Sequence, residues 1–429
     1  MNNKATSIRW RVLGILVSVS FVSYLLRSNV SIAAPAMMAD LGLTEIEWGW
    51  ILAAFTAGYA VFQFPGGILG DRFGPRRMLT AIAVLWCILT IATTLVPGQE
   101  TASTGLIIVS LLLVRFLVGV VHAPIFPVMN VSIMRWFPVG GWAFPTGLSS
   151  TGLTLGFAAT APVLAWMITQ YGWRLSFIIL SPFGFLVAAL WWWYTRDWPA
   201  DHPAINQAEV DLIRGNRSFG PDDEDAPPAW WRVLKNRDVI LLMLSYSCMN
   251  FVFYEVFNWF FYYLVEIRQF SIQAAGFVTS SQWIAGAVGA ALGGWVCDKL
   301  CKRLGLRWGC RWPVIVGMVA SAALLIVGAM HSNPWVAVAM LALCFFFNQL
   351  TEGAFWATSI AIGGIHAGAA GGVLNTGANI MGIFNAILVP LFAHAFGWTF
   401  AIASGAIFAL IGATLMLFVR ADRPLDSAD

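Results

Sequence analysis

Twelve stretches of almost uninterrupted apolar residues divide the chain: 12–34, 47–69, 79–97, 105–130, 143–168, 174–194, 238–263, 274–296, 313–331, 334–359, 368–392 and 397–419. A helix needs about 20 such residues to cross ~30 Å of hydrocarbon. An open sheet cannot satisfy its backbone in lipid, so the pattern predicts an all-α membrane protein with twelve transmembrane helices. The longest polar break, 196–237, contains Pro221-Asp222-Asp223-Glu224-Asp225 and Pro227-Pro228 and reads as a linker bounded by short surface helices. The expected organisation is a six-helix bundle at 1–195, a cytoplasmic linker at 196–237 and a second six-helix bundle at 238–429.

Composition removes the alternatives. The 429 residues are 59% hydrophobic and 10% charged, against roughly 25% charged in soluble proteins, which excludes an ordinary soluble enzyme and a disordered chain. The net charge of +3 is too small and scattered to suggest a nucleic-acid partner. With the N-terminus inside, 20 of the 24 Lys and Arg fall in cytoplasmic segments; the positive-inside rule then predicts a multi-pass cytoplasmic (inner) membrane protein with both termini cytoplasmic. Arg174 and Arg268 lie outside, and Arg27 and Arg115 lie within the membrane. The first apolar run is too long for a cleavable signal. Cys87, Cys248 and Cys344 sit in apolar runs, and Cys297, Cys301 and Cys310 in a basic segment read as cytoplasmic, where thiols stay reduced. Zinc binding by those last three is the alternative to free thiols, but no disulfide framework, metal or cofactor is expected.

The halves echo each other. Gly66-Gly67-Ile68-Leu69-Gly70-Asp71-Arg72 closes the second span and Gly293-Gly294-Trp295-Val296-Cys297-Asp298-Lys299 the eighth, with the two aspartates 227 residues apart. Gly172-Trp173 and Gly397-Trp398 open the sixth and twelfth spans, 225 residues apart. Two landmarks with nearly one offset imply an internal duplication, which transporters use for two bundles rocking about a midplane site. The run Gly67 to Leu79 resembles the GxLaDrxGrkxxl loop of the major facilitator superfamily, with Pro75 where a basic residue is usual. Tyr24, Arg27, Tyr59, Phe64-Pro65-Gly66-Gly67, Arg115, Pro124-Ile125-Phe126-Pro127, Trp136-Phe137-Pro138, Gly172-Trp173-Arg174 and Asn375 resemble its anion:cation symporter family. That family includes sugar-acid and hexuronate permeases and vesicular glutamate and sialic acid carriers.

Arg27 and Arg115 carry the strongest chemical signal. An arginine at a helix centre costs roughly 2.5–3.5 kcal/mol on insertion scales, so two of them need a purpose. A guanidinium stays charged and presents a planar fork suited to a carboxylate, sulfonate or phosphate. Snorkelling is open to Arg27, near the outer end of its span, and not to Arg115. The resemblance implies anion binding at both, with Tyr24, Tyr59, Trp356 and Asn375 also touching substrate. It also implies that Asp71, Arg72 and Arg76 gate by latching neighbouring helices, with Asp298 and Lys299 a weaker counterpart. Gly147, Gly152 and Gly156 suit close helix packing, and Trp191 to Trp193 the membrane interface.

The family's sugar-acid symporters carry an Asp just before the first arginine and a Glu seven residues after the second; here stand Leu26 and His122. Proton coupling then falls to His122, whose side-chain type titrates near neutrality, or to the membrane carboxylates Glu255 and Glu352, or is absent. Glu255 is expected near the cavity, because the 227-residue offset equates Arg27 with its neighbour Tyr254. The function expected is secondary active uptake of a small organic anion, proton-coupled, by a monomer in the bilayer. An exchanger or uniporter without proton coupling is the alternative, and a transporter-like sensor the reading from another class. No GxxxxGK[ST] motif is present, and no HExxH or GxSxG supports an enzyme.

Overall fold

The computed structural model describes residues 4–215 and 230–425. The acidic and proline runs of the linker, Pro221 to Asp225 and Pro227-Pro228, lie outside the described residues. Nine helical segments are long and apolar enough to cross a membrane among the described residues. Three of them turn back on themselves at a glycine of positive φ: Ala143–Tyr194 at Gly172 (φ 72°), Ile272–Met330 at Gly305 (φ 76°) and the segment from Pro334 to Phe396 at Gly364 (φ 54°). Each turn needs the left-handed region that glycine enters without a Cβ penalty. Twelve crossings result, as the apolar pattern predicts.

Several spans are broken near their middle. The first consists of helices Ile8–Arg27 and Asn29–Leu41, divided at Ser28, whose hydroxyl bonds to the Tyr24 carbonyl and to Thr160 Oγ1. Thr104–His122 and Ile125–Trp136 make the fourth, and Pro334–Leu350 and Glu352–Gly363 the tenth. Around the undescribed 216–229, short helices run over Gln207–Arg214 and Trp230–Lys235. The first of these supplies Glu209, which is buried and accepts from the backbone N–H of Ile8 (3.1 Å) and Arg9 (3.3 Å). It caps the first span, whose own Ser7 makes no capping bond.

Small residues let the helices approach closely. A Cβ on Gly119 of the fourth span would stand 2.1 Å from the Phe55 carbonyl, and one on Gly58 of the second 2.2 Å from the Phe116 carbonyl. The two backbones therefore touch just beside Arg115. In the fifth span, Cβ atoms on Gly152 and Gly156 would meet the carbonyls of Val17 and Phe21 at 2.7 and 2.3 Å, and one on Gly147 that of Ala290 at 2.2 Å. Gly119→Val is expected to destabilise the fold by about 1–3 kcal/mol through overpacking. Thermal unfolding in detergent, with Gly14→Ala as the control because nothing lies within 4 Å of that site, measures it.

The halves join at the end that carries both termini. Asp71 accepts from the N–H groups of Gly368 (2.8 Å) and Ala369 (2.9 Å), at the start of helix Ala367–Phe396. Asp298 accepts from Ala143 (2.9 Å) and Phe144 (3.1 Å), at the start of the helix over Ala143–Tyr194. Each carboxylate meets the positive end of a helix in the opposite half. Asp298 is therefore a full counterpart of Asp71, not the weaker one expected. Trp191 also departs from expectation: it is buried, with its indole N–H on the Pro75 carbonyl (3.3 Å), whereas Trp193 is exposed.

Candidate functional site

Between the halves lies a cavity of about 400 Å³. From the N-terminal half it is lined by Tyr24, Arg27, Phe55, Tyr59 and Arg115, and from the C-terminal half by Tyr246, Asn250, Tyr254, Glu352, Trp356, Asn375 and Asn379. All six residues expected to touch substrate, Arg27, Arg115, Tyr24, Tyr59, Trp356 and Asn375, face it. Ser31, Leu52, Thr56, Ile383 and Ala386 extend it toward the end opposite the termini.

The break at Ser28 sets the position of Arg27, the last residue of its helix. Its Nη1 donates to Tyr24 Oη (2.9 Å), and the guanidinium carbon lies 4.7 Å from the Tyr59 ring centre and 5.2 Å from that of Phe55. Arg115 lies 4.9 Å from the same Phe55 ring and is 5% exposed, and its Nε has no hydrogen-bond partner among the described residues. The close approach at Gly58 and Gly119 brings Phe55 to it. Among the described residues, neither guanidinium has a carboxylate within 4.0 Å. The electron-rich ring faces offset part of the charge without using up the donor forks. A pair of cations held this way is complementary to an anion.

The opposite wall is amide-rich. Asn375 Nδ2 donates to Gln63 Oε1 across the halves (3.1 Å), and Tyr254 Oη to Asn379 Oδ1 (3.0 Å). Glu352 Oε1 accepts from Tyr246 Oη (2.9 Å) and Trp356 Nε1 (2.9 Å). It is half-buried, and it lines the cavity. Tyr246, Asn250 and Asn258 were not singled out from the sequence, yet with Tyr254 they form a stripe of polar positions four apart on helix Arg237–Tyr262, all lining the cavity.

The other two proton-coupling candidates lie elsewhere. His122 is 1% exposed and does not line the cavity. Its ring packs against Trp86 (4.7 Å) and Tyr59 (5.6 Å), and among the described residues neither nitrogen has a hydrogen-bond partner. Glu255, expected near the cavity, points away from it: an added Cβ on Gly405 of the twelfth span would lie 2.2 Å from its Oε2. Residue 254 faces the cavity, and one step along a helix turns a side chain by about 100°. Of the gating candidates, Asp71 crosses between the halves. Arg76 does not reach the C-terminal half: it donates to the Trp192 carbonyl (2.8 Å) and, through its backbone N–H, to Asp197 at the start of the linker (2.8 Å). Arg72 stacks over Phe73.

Comparison with known proteins bears on the family and the fold. The family model described as Major Facilitator Superfamily matches residues 16–306. The protein named probable sulfoacetate transporter SauU of Cupriavidus necator is 30% identical over 98% of this chain and 96% of its own. The protein named probable galactarate/D-glucarate transporter GudP of Bacillus subtilis is 30% identical over 92% of this chain and 88% of its own. Among solved structures, the proton:xylose symporter XylE superposes with a TM-score of 0.74 at 16% identity, covering 98% of both chains. These relatives are named as transporters and not as enzymes, and the chain, a multi-pass membrane protein, belongs to the major facilitator superfamily.

Proposed function

We propose that the protein is a secondary active transporter that takes up a small organic anion by alternating access, as a monomer in the cytoplasmic membrane with both termini inside. The observation that carries this reading is the pair Arg27 and Arg115, held in one cavity with, among the described residues, no carboxylate on either. The two forks take a carboxylate or sulfonate on one wall, with Tyr24 and Tyr59 beside it. Asn375, Asn379, Asn250 and Trp356 face the rest of the molecule with amides and an aromatic plane, which suits a polar, hydroxyl-bearing body such as that of a sugar acid. Relatives named for sulfoacetate and for galactarate and glucarate support the class. Opening and closing follow from the Asp71 and Asp298 latches, which hold the termini end shut while the cavity extends the other way.

Proton coupling runs through Glu352 on this reading. An ionised Glu352 repels an incoming anion in the same cavity; a protonated one does not. Anion and proton therefore bind cooperatively, and the linkage is reciprocal. Of the three candidates, only Glu352 lines the cavity from which both would be taken.

A panel of sulfonates, sugar acids and uncharged sugars tests the substrate class through thermal stabilisation of the purified protein. A ligand at about 100 times its Kd stabilises by about 2.7 kcal/mol. Stabilisation by at least one organic anion and by no uncharged analogue is expected; stabilisation by the uncharged sugars alone would contradict the reading.

A further inference from the structure

The cysteines at 297, 301 and 310 lie on both sides of the turn at Gly305 that joins the eighth and ninth spans. Cys297 and Cys301 are four apart and share a helix face. The turn returns Cys310 to them. Their sulfurs all lie within 4.8 Å of one another, with Cys297 to Cys301 at 4.0 Å and Cys301 to Cys310 at 3.6 Å. All three are free thiols, 0%, 8% and 1% exposed in chain order. The helices touch here: a Cβ on Gly309 would stand 2.4 Å from Cys301 Cα.

We infer that these three thiols form a binding site for a soft, thiophilic d10 cation such as Zn²⁺, Cd²⁺ or Cu⁺. A tetrahedral zinc ion with metal–sulfur bonds of about 2.3 Å places its sulfurs about 3.8 Å apart, between two of the separations, and the third pair lies within 4.8 Å. Three thiolates on a divalent ion leave one negative charge, in a segment that carries Lys299, Lys302, Arg303 and Arg307. Soft sulfur ligands select such ions over Mg²⁺ or Ca²⁺. Three protein ligands leave a fourth position for water. The ion ties the two spans together one residue from Asp298, the carboxylate that bridges to the opposite half.

The test is a titration of the purified, phosphine-reduced protein with Cd²⁺ alone, following thiolate-to-cadmium charge transfer in the ultraviolet. One equivalent with three-thiolate intensity is expected, and each single exchange, Cys297→Ser, Cys301→Ser or Cys310→Ser, is expected to weaken binding at least about tenfold. Absence of the band at one equivalent of Cd²⁺, or an unchanged titration in the triple serine variant, would overturn the site. If the serine variants fail to fold, a protein with Cys87, Cys248 and Cys344 replaced by alanine decides. Retention of the band supports the site, and its loss places cadmium on the other thiols. None of these readouts depends on transport, so the outcome is separate from that of the proposed function.

Discussion

Replacing Arg115 with alanine is expected to abolish uptake while leaving expression and folding intact. Arg115 is 5% exposed at the cavity wall, with its charge met by the Phe55 face and, among the described residues, by no carboxylate. Its loss removes charge-assisted, two-pronged contacts to the anion, an effect of about 3 kcal/mol or more and thus over a hundredfold in affinity. Arg115→Lys should fail to nearly the same degree, because a point charge does not reproduce the planar fork. Arg174→Ala is the contrast: its partner Asp40 and Arg174 itself are 43% and 34% exposed, where an ion pair contributes about 0–1 kcal/mol. Uptake near the wild-type level is expected there. Initial rates in proteoliposomes, normalised to reconstituted protein, measure all three.

Glu352→Gln is expected to uncouple uptake from the proton gradient. The wild type, taking up one proton with each monoanion, should concentrate substrate about tenfold for each unit of imposed inward pH difference, the equivalent of about 1.4 kcal/mol. The glutamine keeps an acceptor for Tyr246 Oη and Trp356 Nε1 but carries no proton. Concentrative uptake should then fall to equilibration, and exchange of anion across the membrane should persist, because exchange needs no net proton movement. His122→Gln and Glu255→Gln should retain the gradient dependence, since neither side chain reaches the cavity. A protonophore separates the cases. Loss of coupling in His122→Gln with coupling kept in Glu352→Gln would move the proton path to the histidine, and indifference of the wild type to the protonophore would leave the exchanger or uniporter reading. The second outcome has a motive in the sequence, because Leu26 and His122 stand where the resembled symporters carry acids.

The spans were legible because hydrocarbon thickness imposes a length that apolar runs display directly. Arg27 and Arg115 were legible for the same reason: a charge deep in such a run stands out. The polar stripe of Tyr246, Asn250, Tyr254 and Asn258 was also present as a four-residue period, but uncharged residues in an aromatic span raise little contrast with their neighbours. The direction of Glu255 was not legible. A duplication offset is good to a residue or two, and one residue is about 100° of helix, the difference between the cavity and the packed interior of a bundle. His122 shares the helix face of Arg115, two turns away; what withdraws it is the Trp86 and Tyr59 rings, contributed by other spans. The sequence groups Cys297, Cys301 and Cys310 and raises zinc as an alternative, but their convergence depends on the turn at Gly305, whose geometry the spacing does not reveal.

The most direct measurement of the central claim is flux of labelled sulfonates and sugar acids into proteoliposomes containing wild-type protein or the double variant Arg27→Ala, Arg115→Ala. Saturable flux of at least one organic anion in the wild type, absent from the double variant and not inhibited by uncharged sugars, is the predicted result. Equal anion flux in the two proteins would contradict the account.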